Sequence, residues 1–462
     1  MKPLPTVVIG AGITGLSAAW HLQRRGHTVL VLEASNHPGG AIQTLQEKGY
    51  VVEMGPNTLL VDEPGIAQFL DEALPPESIR YANSEANKRF IVRDGRPQAI
   101  PSSPLRALTT KLWPKTAMLR VLQELFLPAY AGEEEESLAD FVRRRLGQTM
   151  LDYAINPFVA GVYAGDPETL SVKYGFPKLY NLEQDFGGSL IRGSLKLKKQ
   201  KAREGNSHRA SMVSFPQGLS YLPETLAAKL KQPVRYQTTA TAVHRHSDGT
   251  YRVQIQSDGK ASVLEAGSII FALPAPALTK IELSDELEGD LAVLQEIEYP
   301  PVTSVAMAFP RSAVQHPLDG FGMLVPEVEK REILGTLFSS TLFPDRTPED
   351  QVLLTTFVGG TRQPKNAGLD DPAITALILK ELSSLLGVQG DPVYSTIRRW
   401  PRAIPQYKIG YGKYLEAMEN FESANPGLFI AGHIRDGISL AKCIRGGIRV
   451  SEAVSAFSSS GN

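Results

Sequence analysis

Gly10, Gly12 and Gly15, followed at a distance by Glu33, are the residues of this chain whose types and spacing most clearly do chemistry. In such a G-x-G-x-x-G run the first glycine permits a tight turn. The second lets backbone approach a pyrophosphate with no Cβ in the way, and the third lets a helix pack closely on a strand. Ala11, Ile13 and Thr14 fill the same loop and first helical turn, whose free N–H groups suit phosphates. Glu33, with Ala34 beside it, is placed to accept hydrogen bonds from a ribose diol. The chemistry is the binding of a dinucleotide. It works only if elements hold the spacing, and the sequence supplies them. Val7-Val8-Ile9 reads as a buried parallel strand, and Ile13, Leu16, Ala19 and Leu22 recur at helical spacing. Gly26 ends the helix, and Val29-Leu30-Val31-Leu32 forms a second strand.

NAD or FAD would satisfy that βαβ unit. Two downstream features favour FAD. Gly39-Gly40, followed by Ala41, lies just past the second strand, and Val52-Glu53-Met54-Gly55-Pro56-Asn57-Thr58 follows a strand-like stretch. On these residues the sequence resembles the protoporphyrinogen oxidase family, within the wider class of amine oxidases and phytoene desaturases. That family often carries a basic residue two places before the glycine pair. Here the position is Pro38, preceded by His37, which weakens a side-chain phosphate contact but not the backbone one.

At 462 residues the chain suits about three domain-sized units and a large core. Apolar residues make up 42% and charged residues 21%, as in an ordinary globular protein. A net charge of -1 argues against a nucleic-acid binder that works by neutralising phosphates. Cys443 is the sole cysteine, so no intramolecular disulfide forms, which fits a reducing compartment. No charged leader with an apolar core precedes Val7, and no run of ~18 apolar residues occurs. Neither a signal peptide nor a transmembrane helix is expected.

Further along, a helix is expected over Ile66 to Leu74, stopped by Pro75-Pro76. Residues 87–96 read as a hairpin around Asp94-Gly95, closing through Ile100-Pro101-Ser102-Ser103-Pro104. Residues 105–200 form a largely helical block. In it Trp113, Leu119, Leu122, Leu125, Phe126 and Leu127 accompany Lys111, Lys115 and Arg120, a pattern that suits a core helix or an interfacial surface. Ser137, after the acidic run Glu133 to Glu136, suits a helix cap. Residues 196–209 read as a solvated basic loop. A β-meander is expected at 234–246, 250–256 and 262–266, then a buried strand from Ser268 to Leu273. Residues 275–394 read as a sheet with helices on one side. A last strand, Gly427 to Gly432, leads to a final helix near Leu440, giving a second helix N-terminus to face the cofactor.

The resemblance covers Val7 to about Val454. It implies an α/β fold: a Rossmann-like FAD-binding domain, a mixed α/β substrate domain and a mainly helical insertion. The expected division is 1–86, 205–273 and 396–462 for the FAD-binding domain, 87–204 for the hairpin and the helical, membrane-associating insertion, and 274–395 for the substrate domain. It implies flavin contacts from Trp400, in Trp400-Pro401-Arg402-Ala403-Ile404-Pro405-Gln406-Tyr407, and from Ile438, Ser439 and Leu440, with a backbone contact to the adenine side from Val243. Where many relatives in the wider class carry an acid after the strand's glycine, this chain has His433. The resemblance also implies that Arg89 faces a substrate propionate and that Leu324 and Phe338 sandwich the substrate; Gly161, in the run Asn156 to Asp166, either allows tight helix packing or leaves room for a flat macrocycle. Read without the resemblance, Arg89 is a solvated strand arginine and Leu324 and Phe338 are plain core.

No acid–base machinery stands out, no nucleophile elbow is present, and the histidines show no metal-ligand spacing beyond His244-x-His246, which sits in a strand and reads as structural. The flavin is expected to carry the chemistry, so no catalytic side chain is assigned. The implied activity is oxidation of protoporphyrinogen IX to protoporphyrin IX, with hydride taken by noncovalent FAD in three rounds and dioxygen returned as hydrogen peroxide. Coproporphyrinogen III is the alternative substrate. An amine oxidase, a carotenoid desaturase and a non-enzymatic FAD-binding protein are alternatives of other classes. The expected partners are the porphyrinogen, dioxygen, a membrane touched from one side and a second copy of the chain, with no nucleic acid. The expected location is cytoplasmic, at the inner face of the membrane.

Overall fold

The computed structural model describes residues 4–101, 103, 110–203 and 210–459. Its centre is a four-stranded parallel sheet in the order Val29–Leu32, Thr6–Ile9, Ser268–Phe271, Leu428–Ile430. The two middle strands are buried on both faces, because helices cover one side and the meander, with the helix Gly412–Ala424, covers the other. One cover is the helix Ile13–Arg24, and the helix Leu440–Ser459 packs against it. Strands from three distant parts of the sequence therefore meet in one sheet.

The meander forms as Thr238–Arg245, Tyr251–Ser257 and Lys260–Ala266, with antiparallel pairing throughout and a bulge between Ala240 and Ala242. A small sheet of Leu59–Val61, Ser211–Ser214 and Arg80–Tyr81 stitches the first FAD-binding segment to the second.

The second large unit is a seven-stranded sheet in the order Tyr394–Trp400, Val302–Pro310, Gln351–Gly359, Gly335–Phe338, Gly320–Leu324, Lys88–Arg93, Arg96–Ala99. The helix Asp371–Leu386 covers one face over a core that includes Phe90, Met307, Met323 and Phe338. The hairpin forms around Asp94 and Gly95, whose φ values of +51° and +71° suit a type I′ turn. Its place differs from the expected division. Lys88–Arg93 runs parallel to Gly320–Leu324, so the hairpin belongs to the substrate sheet rather than to the helical insertion. The strand Tyr394–Trp400 edges that same sheet across the expected boundary at 395.

The helical block is built on a buried ionic cluster. Arg145, fully buried, pairs with Glu183, while Arg144 binds Glu136 at 2.6 Å and Glu183 at 2.8 Å. The Ser137 oxygen accepts from the Asp140 N–H at 2.9 Å and caps its helix. The segment read as a solvated basic loop is helical over Leu190–Arg203, because the Glu124 carboxylate accepts from Ser189 and from the Leu190 and Ile191 N–H groups and fixes the helix start. Ser102, Pro104 and residues 204–209 lie outside the described residues. Among the described residues no helix is long and apolar enough to cross a membrane.

Candidate cofactor and substrate site

The cofactor cradle forms where the strands of the parallel sheet end. Gly10 has φ +105°, and a Cβ there would lie 2.6 Å from the Ala272 carbonyl oxygen. A Cβ on Gly15 would lie 2.0 Å from the Gly10 oxygen, so only glycine lets the helix sit on the strand. Gly12 differs: a Cβ there meets nothing within 4 Å. Its neighbourhood is open space above a helix N-terminus, as a pyrophosphate requires. Ala11, Ile13 and Thr14 are buried around it. Glu33 is held at the edge of this cradle, accepting from the Ala11 N–H at 2.9 Å and the Ser35 N–H at 2.8 Å. Ala34 beside it is exposed.

The glycine pair closes the turn from the other side. Gly39 donates its N–H to the Ala11 oxygen at 2.8 Å, and a Cβ on Gly40 would touch Gly12 Cα at 3.7 Å. Ala41 and Gly55 are pressed together, since a Cβ on Gly55 would fall 1.9 Å from the Ala41 oxygen. Trp400 joins them by donating its indole N–H to the Met54 oxygen at 2.8 Å, and Arg398 stacks on its ring at 4.4 Å. Pro56, Asn57 and Thr58 continue the wall, half-buried. From the far end of the chain, Ile438 and Ser439 lead into the helix beginning at Leu440. A Cβ on Gly447 of that helix would lie 2.5 Å from the Thr14 oxygen, so the two helices cross closely near their N-termini. Several of the segments expected to hold FAD thus meet around the glycine turn.

Val243 lies on a strand paired on both sides at that position, with Val253 and Leu283, and its carbonyl accepts from the Ser284 N–H. The open part of the strand is its beginning: Thr239, Ala240 and Thr241 line a cavity of about 400 Å³ with Pro274, Tyr299 and Arg402. That cavity starts where Thr238 donates its N–H to the Glu33 oxygen.

His433, in the place of the usual acid, is enclosed, and burial pushes its imidazole down to about 4. Tyr299 accepts the Ala275 N–H at 3.2 Å and lies 3.2 Å from His433 Nε2, so the tyrosine donates and the neutral ring accepts. A carboxylate comes instead from Asp436, which takes the Gly432 N–H at 2.7 Å and pairs with Arg449 at 3.1 Å. Cys443 is buried, its thiol pushed up to about 12 by burial, so it remains a thiol at neutral pH.

The substrate residues are sorted by the pleat of the seven-stranded sheet, in which directly paired residues share a face. Leu324, Gly335, Phe357, Ser304 and Arg398 form one row of paired residues across five strands. Gly161, on the helix Asn156–Tyr163, stands over this row, close enough that a Cβ there would meet Leu324 Cδ2. Ile91 pairs with Leu324, so Arg89, two residues back, lies on the same face. Arg89 is exposed, and its guanidinium lies 5.6 Å from the Phe321 ring. Phe338 corrects an expectation. It falls on the opposite face, fully buried against Phe90 and His316, where no ligand reaches it. The apolar side chains on the open face are Phe357 and Leu337, both half-buried, and sequence reading missed them. Leu337 pairs with Gly322 and Thr355, which puts it, and not Phe338, on this face. Among the described residues no cluster suited to a metal ion occurs.

A nucleotide cradle facing a substrate-sized sheet face defines an FAD-binding oxidoreductase. Comparison with known proteins agrees. Residues 13–455 match the model of the flavin containing amine oxidoreductases. Protoporphyrinogen oxidase 2, chloroplastic/mitochondrial, of Arabidopsis thaliana is 32% identical over 97% of this chain and 93% of its own length. Coproporphyrinogen III oxidase of Bacillus subtilis is 28% identical over 97% of each. A solved candidate protoporphyrinogen oxidase from Exiguobacterium sp. 255-15 superposes with TM-score 0.81 at 23% identity, covering 99% of both chains. Reduced UDP-galactopyranose mutase superposes with TM-score 0.74 at 16% identity over 98% of this chain and 96% of that one, a likeness of fold. The chain belongs to the flavin-containing amine oxidoreductase family, in the branch of the protoporphyrinogen and coproporphyrinogen oxidases, and its cofactor is FAD.

Proposed function

We propose that the protein oxidises protoporphyrinogen IX to protoporphyrin IX. The observation that carries this reading is the face of the seven-stranded sheet. It sets Arg89, Leu324 and Phe357 on one face, with Gly161 of the overlying helix and Gly335 of the next strand both against the Leu324 side chain. A flat macrocycle with acidic arms suits apolar walls and an arginine fork for a carboxylate. FAD, when bound, supplies the hydride acceptor and passes the electrons to dioxygen, giving hydrogen peroxide. The chain itself binds, orients and excludes water. Neutral His433 and the Tyr299 hydroxyl keep a net charge out of the loop beside the cradle, while Asp436 holds Gly432 in place. The higher identity to the plant protein than to the coproporphyrinogen III oxidase supports protoporphyrinogen IX as substrate.

The same proposal places the protein on the surface of a membrane. Leu119, Leu122 and Phe126 are 62%, 55% and 82% exposed. Lys111 and Lys115 flank them, and exposed Leu195 with Lys196, Lys198 and Lys199 lies on the neighbouring helix. Apolar tips rimmed by lysines suit an anionic bilayer interface.

The deciding experiment presents the FAD-loaded protein, in air, with protoporphyrinogen IX and separately with coproporphyrinogen III, following porphyrin fluorescence and peroxide. Preferential formation of protoporphyrin IX with peroxide is the expected result. Preference for coproporphyrinogen III reassigns the substrate. Turnover of an amine alone overturns the reading.

A further inference from the structure

Glu53 and Arg346 form a buried ion pair between the two halves of the molecule. Glu53 ends the strand Tyr50–Glu53, directly before the Gly55–Thr58 wall of the cradle. Arg346 ends the short turn Pro344–Arg346 of the substrate unit. Their side chains are 6% and 3% exposed and 3.2 Å apart. The carboxylate is saturated, accepting also from Thr44 Oγ1 at 2.7 Å and the Leu219 N–H at 2.9 Å. The guanidinium is not. It donates to Ser214, but its Nε and Nη1 have no partner among the described residues. Arg346 lines a cavity of about 10 Å³, room for one water, together with Asn57 of the cofactor wall and Leu337 and Thr355 of the substrate face. The same strand is pinned a second time, where Tyr50 donates to Gln351 and stacks on Tyr394 at 4.1 Å.

A buried ion pair is a poor device for stability, because an apolar pair of equal volume often does as well or better. What it offers is direction: a saturated carboxylate fixes one guanidinium nitrogen in space. We propose that Glu53 and Arg346 are positioning residues that set the spacing and tilt between the cofactor wall and the substrate face. A shift at Arg346 reaches both sides through the cavity they share. The kinetic part of this proposal rests on the porphyrinogen reading; the structural part rests only on bound FAD.

The test compares Arg346→Met, the double variant Glu53→Gln/Arg346→Met, and Arg346→Lys, each loaded with FAD. Arg346→Met alone leaves a buried unpaired carboxylate and loses stability. The double variant removes both charges and regains folding and FAD stoichiometry. Arg346→Lys keeps the charge without the fork, and serves where the double variant does not fold. In the folded variants the visible circular dichroism of bound flavin is expected to change. The single-turnover rate of flavin reduction by porphyrinogen is expected to fall roughly tenfold or more with KM little altered, as for misaligned reactants. Wild-type flavin dichroism and a wild-type reduction rate in both variants overturn the proposal. If porphyrinogen fails to reduce the wild-type protein, the functional reading falls, and flavin dichroism alone still decides the positioning role.

Discussion

Leu324 and Phe357 stand two strands apart on one face of the seven-stranded sheet, with only Gly335 between them. The strand spacing sets their Cα atoms about 10 Å apart, and the Leu324 side chain reaches over Gly335 between them. Phe357→Ala removes one wall and is expected to raise KM about tenfold or more, the loss of one buried aromatic face, with little change in melting temperature. Phe338→Ala is expected to behave in the opposite way, costing about 3–5 kcal/mol of stability by opening a core cavity, with KM unchanged in whatever folds. Thermal denaturation beside steady-state kinetics separates the two. A KM effect in Phe338→Ala would put that ring back in the site.

Arg89→Ala should lose a charge-assisted contact of about 1.5–3 kcal/mol, seen as a KM increase of about 10- to 100-fold. Arg89→Lys should recover part of it, since an ammonium does not make the bidentate contact. FAD content should match the wild type in both, because Arg89 lies on the substrate sheet and not on the cradle. Unchanged kinetics would return Arg89 to the status of a solvated arginine.

Gly12→Val and Gly15→Val should both yield protein without FAD, for different reasons. At Gly12 the protein leaves the space open, so the variant should fold as a stable apoprotein. At Gly15 the added carbon lands 2.0 Å from a backbone oxygen, so helix and strand must part and the fold itself should weaken. Flavin absorbance and circular dichroism of the purified variants decide the matter; FAD retained by Gly12→Val would move the pyrophosphate elsewhere.

His433 gives a pH signature. Its folded pKa, about 4, lies below the ordinary 6.5, so between those values the unfolded chain binds a proton that the folded chain refuses. Stability from this site is therefore complete above 6.5 and lost as pH falls towards 4. The melting-temperature difference between wild type and His433→Asn should shrink or reverse over that window. A difference independent of pH would show that the imidazole is not held neutral.

Replacing Leu119, Leu122 and Phe126 together by serine should leave stability unchanged, because all three face outward. Co-sedimentation with anionic vesicles should fall sharply. Equal binding by the variant would place the membrane contact on another surface.

The cradle was legible in the sequence because its parts are local: Gly10, Gly12, Gly15 and Glu33 sit within one βαβ unit whose hydrophobic pattern is unambiguous. The substrate face was less legible. Which of Leu337 and Phe338 shares a face with Leu324 turns on the pairing of one strand, and a one-residue change of register exchanges them. The surroundings of Val243 were hidden for a related reason. The bulge between Ala240 and Ala242 and the parallel contact with Glu282–Leu283 leave no mark in residue types. Residues 196–203 of the helix Leu190–Arg203 were read as loop, because the start of that helix depends on Glu124, far back in the chain. Nor did anything in the sequence couple Glu53 to Arg346.

The crossing of Ile13–Arg24 with Leu440–Ser459 at Gly447 and Thr14 also bears on how the molecule is made. One wall of the cofactor groove leaves the ribosome early, and the other follows only after nearly the whole chain. Pairing them closes a very long loop, a high-contact-order step that local structure cannot hasten. The emerging polypeptide therefore has no finished grip on FAD during most of its synthesis. Capture of the flavin is a late event, and a product shortened by its last helix would be colourless and short-lived however well its remaining parts had folded.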